Sequence, residues 1–167
     1  PEYANSDDFA YKENQSLTYN VESFNYAVNN LSLKWGGDGP ESQLEGLYQI
    51  ATSFNWNDKA EKYIFIATDA SFHNSDEEPE YPGPGYNKTL EALKVKGITV
   101  IGLNRGSADI LDVTTVTRDT GGVVFNLDSA SSDIVDKIVN FSETQEIVSR
   151  GVFSEAVVGS LIQGEAN

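Results

Sequence analysis

The sequence predicts an α/β fold with a doubly wound, mainly parallel sheet flanked by helices. Three observations lead there. Tyr63-Ile64-Phe65-Ile66-Ala67 is apolar without alternation, as expected of a strand buried on both faces in the middle of a parallel sheet. Ile98-Thr99-Val100-Ile101-Gly102-Leu103 repeats the pattern. Around these two runs lie stretches with apolar residues three and four apart. Strand, helix, strand, helix, strand and helix therefore follow one another, the order that right-handed crossovers produce.

The chain divides into three parts. Residues 1–16 are polar and broken and read as an irregular leader, with a short extended piece around Phe9 to Tyr11. Residues 17–142 carry the α/β pattern, and residues 143–167 form an apolar tail, an amphipathic helix or a lead into another domain. In the middle part, Val21, Phe24, Val28 and Leu31 mark one face of a helix. Thr18 or Asn20 is its N-cap, and Gly36-Gly37 its stop. A second helix buries Leu44, Leu47, Tyr48, Ile50 and Ala51. Phe54–Asp58 connects it to the central strand. The stretch from Ser75 to Tyr86 holds three prolines and two glycines and reads as a long surface loop. Asn87–Lys96 is a helix with Leu90, Leu93 and Val95 inward, closed by Gly97. After the strand at 98–103, Ile110–Arg118 is a short helix ended by Thr120-Gly121-Gly122, and Val123–Phe125 is an edge strand. Ser131 or Ser132 caps a last helix with Ile134, Val135, Ile138 and Val139 inward.

Composition narrows the function. The 167 residues hold 26 acidic and 11 basic side chains, a formal net charge of -15. Such a chain repels nucleic acid and anionic membrane surfaces and suits divalent cations, which need several carboxylates. Cysteine is absent, so neither disulfides nor thiolate sites enter. No apolar run reaches the ~18 residues of a membrane span. Pro1 is not a translation start, so the chain is expected to be a processed or trimmed piece of something longer.

Two places hold candidate chemistry. Asp69 follows the central strand, at the end of a parallel sheet where ligands bind, and is either the start of a site or the cap of a turn. Gly37-Asp38-Gly39-Pro40-Glu41-Ser42 precedes a helix. Its glycines and proline fix the backbone, so Asp38 and Glu41 present oxygen ligands from a rigid frame. Equally, acids near a helix start are favoured by its dipole by about 0.3–1 kcal/mol. Asp7-Asp8 and the acids of 76–80 read as solvated charge. His73 is the only histidine, which leaves no triad and no zinc constellation; it reads as structural or as rim.

Three motifs in order carry a family resemblance: Asp38-Gly39-Pro40-Glu41 before a helix, the apolar strand ending Thr68-Asp69-Ala70 with Phe72-His73 just after, and Thr120-Gly121-Gly122 before a strand and helix. From Leu17 to Phe141 the chain resembles the von Willebrand factor type A domain, and within it the inserted domain of integrin β subunits. The resemblance implies an extracellular or cell-surface adhesion module, not an enzyme. It also implies a metal-ion-dependent site for Mg²⁺ or Ca²⁺ with Asp69 and Glu41 as ligands. Asp38, the Pro40 carbonyl and Glu41 would serve an adjacent calcium, with Ser42, Ser71 and His73 at the ligand-binding rim. A protein ligand's carboxylate would fill the open position on the magnesium.

The sequence departs from the family in two respects. The signature Asp-x-Ser-x-Ser is absent; Asp128-Ser-Ala-Ser131 and Asp112-Val-Thr-Thr115 do not match it. Gly36 stands where the integrin branch has asparagine. The first strand, helix and second strand of the family pattern are missing as a block, and the expectation is that another polypeptide supplies that strand. The alternative is a structural subunit of an extracellular assembly with a vestigial metal site. A phosphotransfer enzyme with Asp69 as nucleophile is less favoured, because no lysine partner, phosphate loop or second aspartate accompanies it. Asn14, Asn30, Asn87 and Asn140 head Asn-x-Ser/Thr triplets, glycosylation acceptors in a secreted eukaryotic protein.

Overall fold

A computed structural model describes residues 10–32, 39–104, 111–128, 131–149 and 161–163. Strand β1 (Lys12–Gln15) leads to helices α1 (Val21–Asn29) and α2 (Gln43–Ser53). Strand β2 (Lys62–Thr68), helix α3 (Tyr86–Lys96), strand β3 (Ile98–Asn104), helix α4 (Leu111–Asp119) and strand β4 (Val124–Asn126) follow. Helix α5 (Ser131–Ser149) and strand β5 (Leu161–Gln163) complete the described elements. Strands β2, β3 and β4 form a parallel sheet in that order, with Ile64 beside Val100 and Gly102 beside Val124. Strands β1 and β5 make a separate antiparallel pair. Among the described residues no helix is long and apolar enough to cross a membrane.

The core forms where the periodic residues of helices and strands meet. Leu44, Leu47, Ile50 and Ala51 of α2, Leu93 of α3 and Val113 and Val116 of α4 pack with Ile64, Ile98 and Val100 of the sheet. Side chains alternate across a strand, so Tyr63, Phe65 and Ala67 face the other way. There the Tyr63 ring meets Phe141 of α5 edge-on, with centroids 6.0 Å apart. Helices thus contact both faces, as a doubly wound sheet requires.

The Thr-Gly-Gly motif proves to be structural. Its threonine stands in for a missing strand neighbour: the Thr120 hydroxyl accepts from Val100 N at 3.0 Å and donates to the Val116 carbonyl at 2.7 Å. Gly121 turns the chain at φ 79°, and Gly122 then passes beneath the Val100 carbonyl. Gly97 closes α3 at φ 63°.

Several expectations are corrected. β2 is not buried on both faces: Phe65 is 45 % exposed and Ala67 is exposed, and β2 also has no strand on its outer side among the described residues. Helix α1 does not bury its apolar face. It lies against β1 and β5, none of its residues is buried, and Val21 and Val28, with Leu31 just beyond, stay exposed. Asn20 caps it, accepting from Ser23 N at 3.0 Å. It stops at Asn29 rather than near Gly36, because Asn30 turns its amide back onto the Tyr26 carbonyl at 2.7 Å. The extended piece expected at Phe9–Tyr11 is β1, at Lys12–Gln15. Val95 points outward at 77 % exposure, and Val135 and Val139 are exposed while Ile134 and Ile138 are half-buried. Position 142/143 falls inside α5, which continues to Ser149. The Asn14 amide nitrogen is enclosed, whereas Asn30, Asn87 and Asn140 are exposed.

The loop after β2 caps α3 from outside the helix. Gly85, at the N-cap position, has no side chain to offer. Asn74 Oδ1 accepts instead from Tyr86 N at 2.8 Å, and Asp76 Oδ2 accepts from Asn87 N at 2.8 Å and from Asn87 Nδ2 at 2.9 Å. A carboxylate accepting orphan N–H groups at a helix start acts as an N-cap does. Asp76→Ala is expected to cost about 1 kcal/mol, read as a lower urea midpoint. Asp76→Asn, which keeps an acceptor oxygen, is expected to lose less.

Candidate metal centre

Asp69 follows the last residue of β2, exposed at the carboxyl end of the parallel sheet. Its turn is held by Thr68, whose hydroxyl accepts from Ala70 N at 3.1 Å. This is the local bond by which threonine sets a turn two residues on. The same hydroxyl accepts from Gln43 Nε2 at 2.7 Å, which ties the turn to the first residue of α2.

The second candidate loop arrives from the other direction and locks onto the first. Glu41 N donates to the Ser71 carbonyl at 2.9 Å, and His73 N donates to the Glu41 carbonyl at 2.8 Å. Glu41 and Phe72 thereby form a parallel bridge. The Gly-Pro-Glu-Ser segment and the segment after Asp69 become neighbouring strands at one end of the sheet. Glu41 is only 9 % exposed, a carboxylate largely withdrawn from water. Phe72 anchors the arrangement in the core.

The other predicted residues fall as follows. Ser42 is half-buried at the N-cap position of α2 and makes no side-chain capping bond. Pro40 is half-buried and Ser71 exposed. Asp38, like Asp7 and Asp8, lies outside the described residues. His73 is buried inside its own loop: its ring stacks on Tyr81 at 4.8 Å and Nδ1 lies 2.8 Å from Glu78 Oε2. A carboxylate only accepts, so Nδ1 carries the proton of that bond.

Two residues at this end carry no motif. Gln43 holds Thr68, and Asp112 Oδ2 accepts from Phe72 N at 2.7 Å across 40 residues. An acid in a first helical turn ordinarily signals only the helix dipole, so nothing in the sequence marks the contact. Nearby, burial first and then the bond to Asp119 push the Tyr86 hydroxyl well above the usual phenolic range. It stays protonated and donates to Asp119 Oδ2 at 3.0 Å.

The side chains that these loops carry offer carboxylate and hydroxyl oxygens, the donor type that suits hard cations. No group of three or more Asp, Glu, His or Cys side chains converges among the described residues. Two carboxylates with hydroxyls fit Mg²⁺, which keeps several waters and takes one or two carboxylates, better than Ca²⁺ with its six to eight oxygens.

The Glu41 loop and the loop after Asp69 are clamped together by main-chain hydrogen bonds at the end of an apolar strand. Residues 2–78 match the family model of the integrin beta chain VWA domain. The matched stretch, a little under half the chain, contains both loops: Glu41, Asp69, Ser71 and His73 all lie within it. Over these residues the chain is similar to integrin β VWA domains, and the three-stranded parallel sheet with its helices agrees with a VWA-like α/β fold. Domains of this kind are generally adhesion modules rather than enzymes. No curated protein matches the chain.

Proposed function

We propose that the chain is an extracellular adhesion or assembly module that binds protein ligands through a divalent cation at the carboxyl edge of its sheet. Asp69 and Glu41 are the carboxylate ligands, with the Ser71 and Ser42 hydroxyls beside them. Asp38 and the Pro40 carbonyl join Glu41 at a second, calcium-binding position. The bound cation supplies a point charge with an exchangeable coordination position, which a partner's carboxylate fills. One observation supports the reading. The Glu41 main chain is bridged to Ser71 and His73, so the loops that carry Glu41 and Asp69, 28 residues apart in sequence, meet on a fixed frame at one end of the sheet.

A second polypeptide strand belongs to the proposal. β2 reads as an interior strand but stands at an edge among the described residues, with Phe65 exposed. Beyond Lys62 at its start it has no charge, and it has no proline or bulge, the devices that protect natural edges. An added strand would pair its outer side and cover Phe65. Were the metal positions vestigial, this edge would make the chain a structural subunit of an assembly instead.

Native mass spectrometry of the protein with and without EDTA tests the reading. The expected result is a divalent ion that leaves with EDTA, together with a co-migrating polypeptide. A metal-free chain of 18.2 kDa, indifferent to EDTA, would leave only the structural alternative.

A further inference from the structure

Residues 71–73 are held from two sides. On one side the Glu41 main chain takes the Ser71 carbonyl and the His73 N–H. Successive N–H groups of an extended chain point to opposite edges, so the Phe72 N–H faces away from Glu41. There Asp112 Oδ2 accepts it at 2.7 Å, from the first turn of α4. Phe72 is 5 % exposed, so losing this acceptor would leave a main-chain donor with little access to water. Such a group is costly to leave unmet, and a loop shifts to satisfy it.

We propose that Asp112 is a positioning residue for the cation site: it holds the loop from Asp69 to Phe72 against Glu41. The proposal rests on the cation reading of Asp69 and Glu41 given above. Thr68 fixes the near end of the loop through Ala70 N, Glu41 pins one edge of the far end, and Asp112 pins the other. Asp112 makes its bond to Phe72 N and is not itself a ligand. The oxygen of its carboxyl group, rather than its charge, is the working part, and an amide oxygen can replace it.

Asp112→Ala and Asp112→Asn test this with two readouts: exchange of the Phe72 amide proton by NMR, and Mn²⁺ affinity by calorimetry. The expected result for Asp112→Ala is faster Phe72 exchange and Mn²⁺ binding weakened about tenfold, the lower end of what partners of metal ligands contribute. Asp112→Asn is expected to keep Phe72 protected and to restore most of the affinity. Wild-type exchange and affinity in Asp112→Ala would overturn the proposal. An Asp112→Asn variant as weak as the alanine variant would overturn it too, and that measurement stands even if the alanine variant fails to fold. If the wild-type chain binds no Mn²⁺, the cation reading falls. Phe72 exchange then decides whether Asp112 holds the loop.

Discussion

Gly122→Ala is expected to cost about 3 kcal/mol or more, or to prevent folding altogether. A β-carbon there would lie 1.8 Å from the Val100 carbonyl oxygen, with Thr117 Cγ2 on another side at 3.3 Å. Overpacking usually costs about 1–3 kcal/mol, because side chains give way. Here the obstacle is main chain of β3, the strand paired on both sides, and Gly122 N is itself bonded to the Thr117 carbonyl at 2.8 Å. Neither can move without breaking the β3–β4 junction. At a urea m-value of about 2 kcal/mol/M the midpoint falls by about 1.5 M. Gly121→Ala is the control. It meets no atom within 4 Å and bears only the penalty of φ 79°, about 1 kcal/mol. Equal losses in the two variants would mean that the close approach to Val100 is wrong.

Asp69→Ala is expected to weaken Mn²⁺ binding at least about a hundredfold, beyond the upper range for residues that merely support a ligand. Stability should change by only about 0.5 kcal/mol, since Asp69 is exposed and its turn is held by Thr68 rather than by its own carboxylate. Glu41→Gln keeps both main-chain bonds of Glu41 and is expected to lower affinity with the fold intact. The vestigial-site alternative predicts a different pattern: no Mn²⁺ bound by either protein and only a capping loss of about 0.5–2 kcal/mol in Asp69→Ala. Calorimetry and urea melts on the same samples separate the two.

The parts of the fold that local chemistry determines were legible in the sequence. The apolar runs of β2 and β3, the buried positions of α2, the Gly97 closure and the Asn20 cap all follow from periodicity and terminal residues. What periodicity does not report is whether a surface is there to receive an apolar face. Val21 and Val28 in α1, Val95 in α3 and Val135 and Val139 in α5 have helical spacing and yet remain exposed. Phe65 sits in a run that reads as doubly buried, but the outer edge of β2 is open among the described residues. β1 was expected a few residues too early, around Phe9 to Tyr11, because Lys-Glu-Asn-Gln has no strand character of its own and pairs with β5 nearly 150 residues away.

The candidate site divides the same way. Asp69 and Glu41 stand out because an acid after a buried strand and an acid after Gly-Pro are unusual placements. Their juxtaposition depends on the Glu41–Phe72 bridge, and the support behind it on Asp112 and Gln43. Those are contacts across 25 to 40 residues, made by main chain or by ordinary-looking side chains.

The most direct measurement is anomalous diffraction from crystals grown with Mn²⁺ in place of Mg²⁺. The account predicts a peak about 2.0–2.2 Å from an Asp69 carboxylate oxygen, with Glu41 in the same coordination shell or one water removed. No peak at saturating Mn²⁺, or a peak only among the acids of residues 76–80, would contradict it.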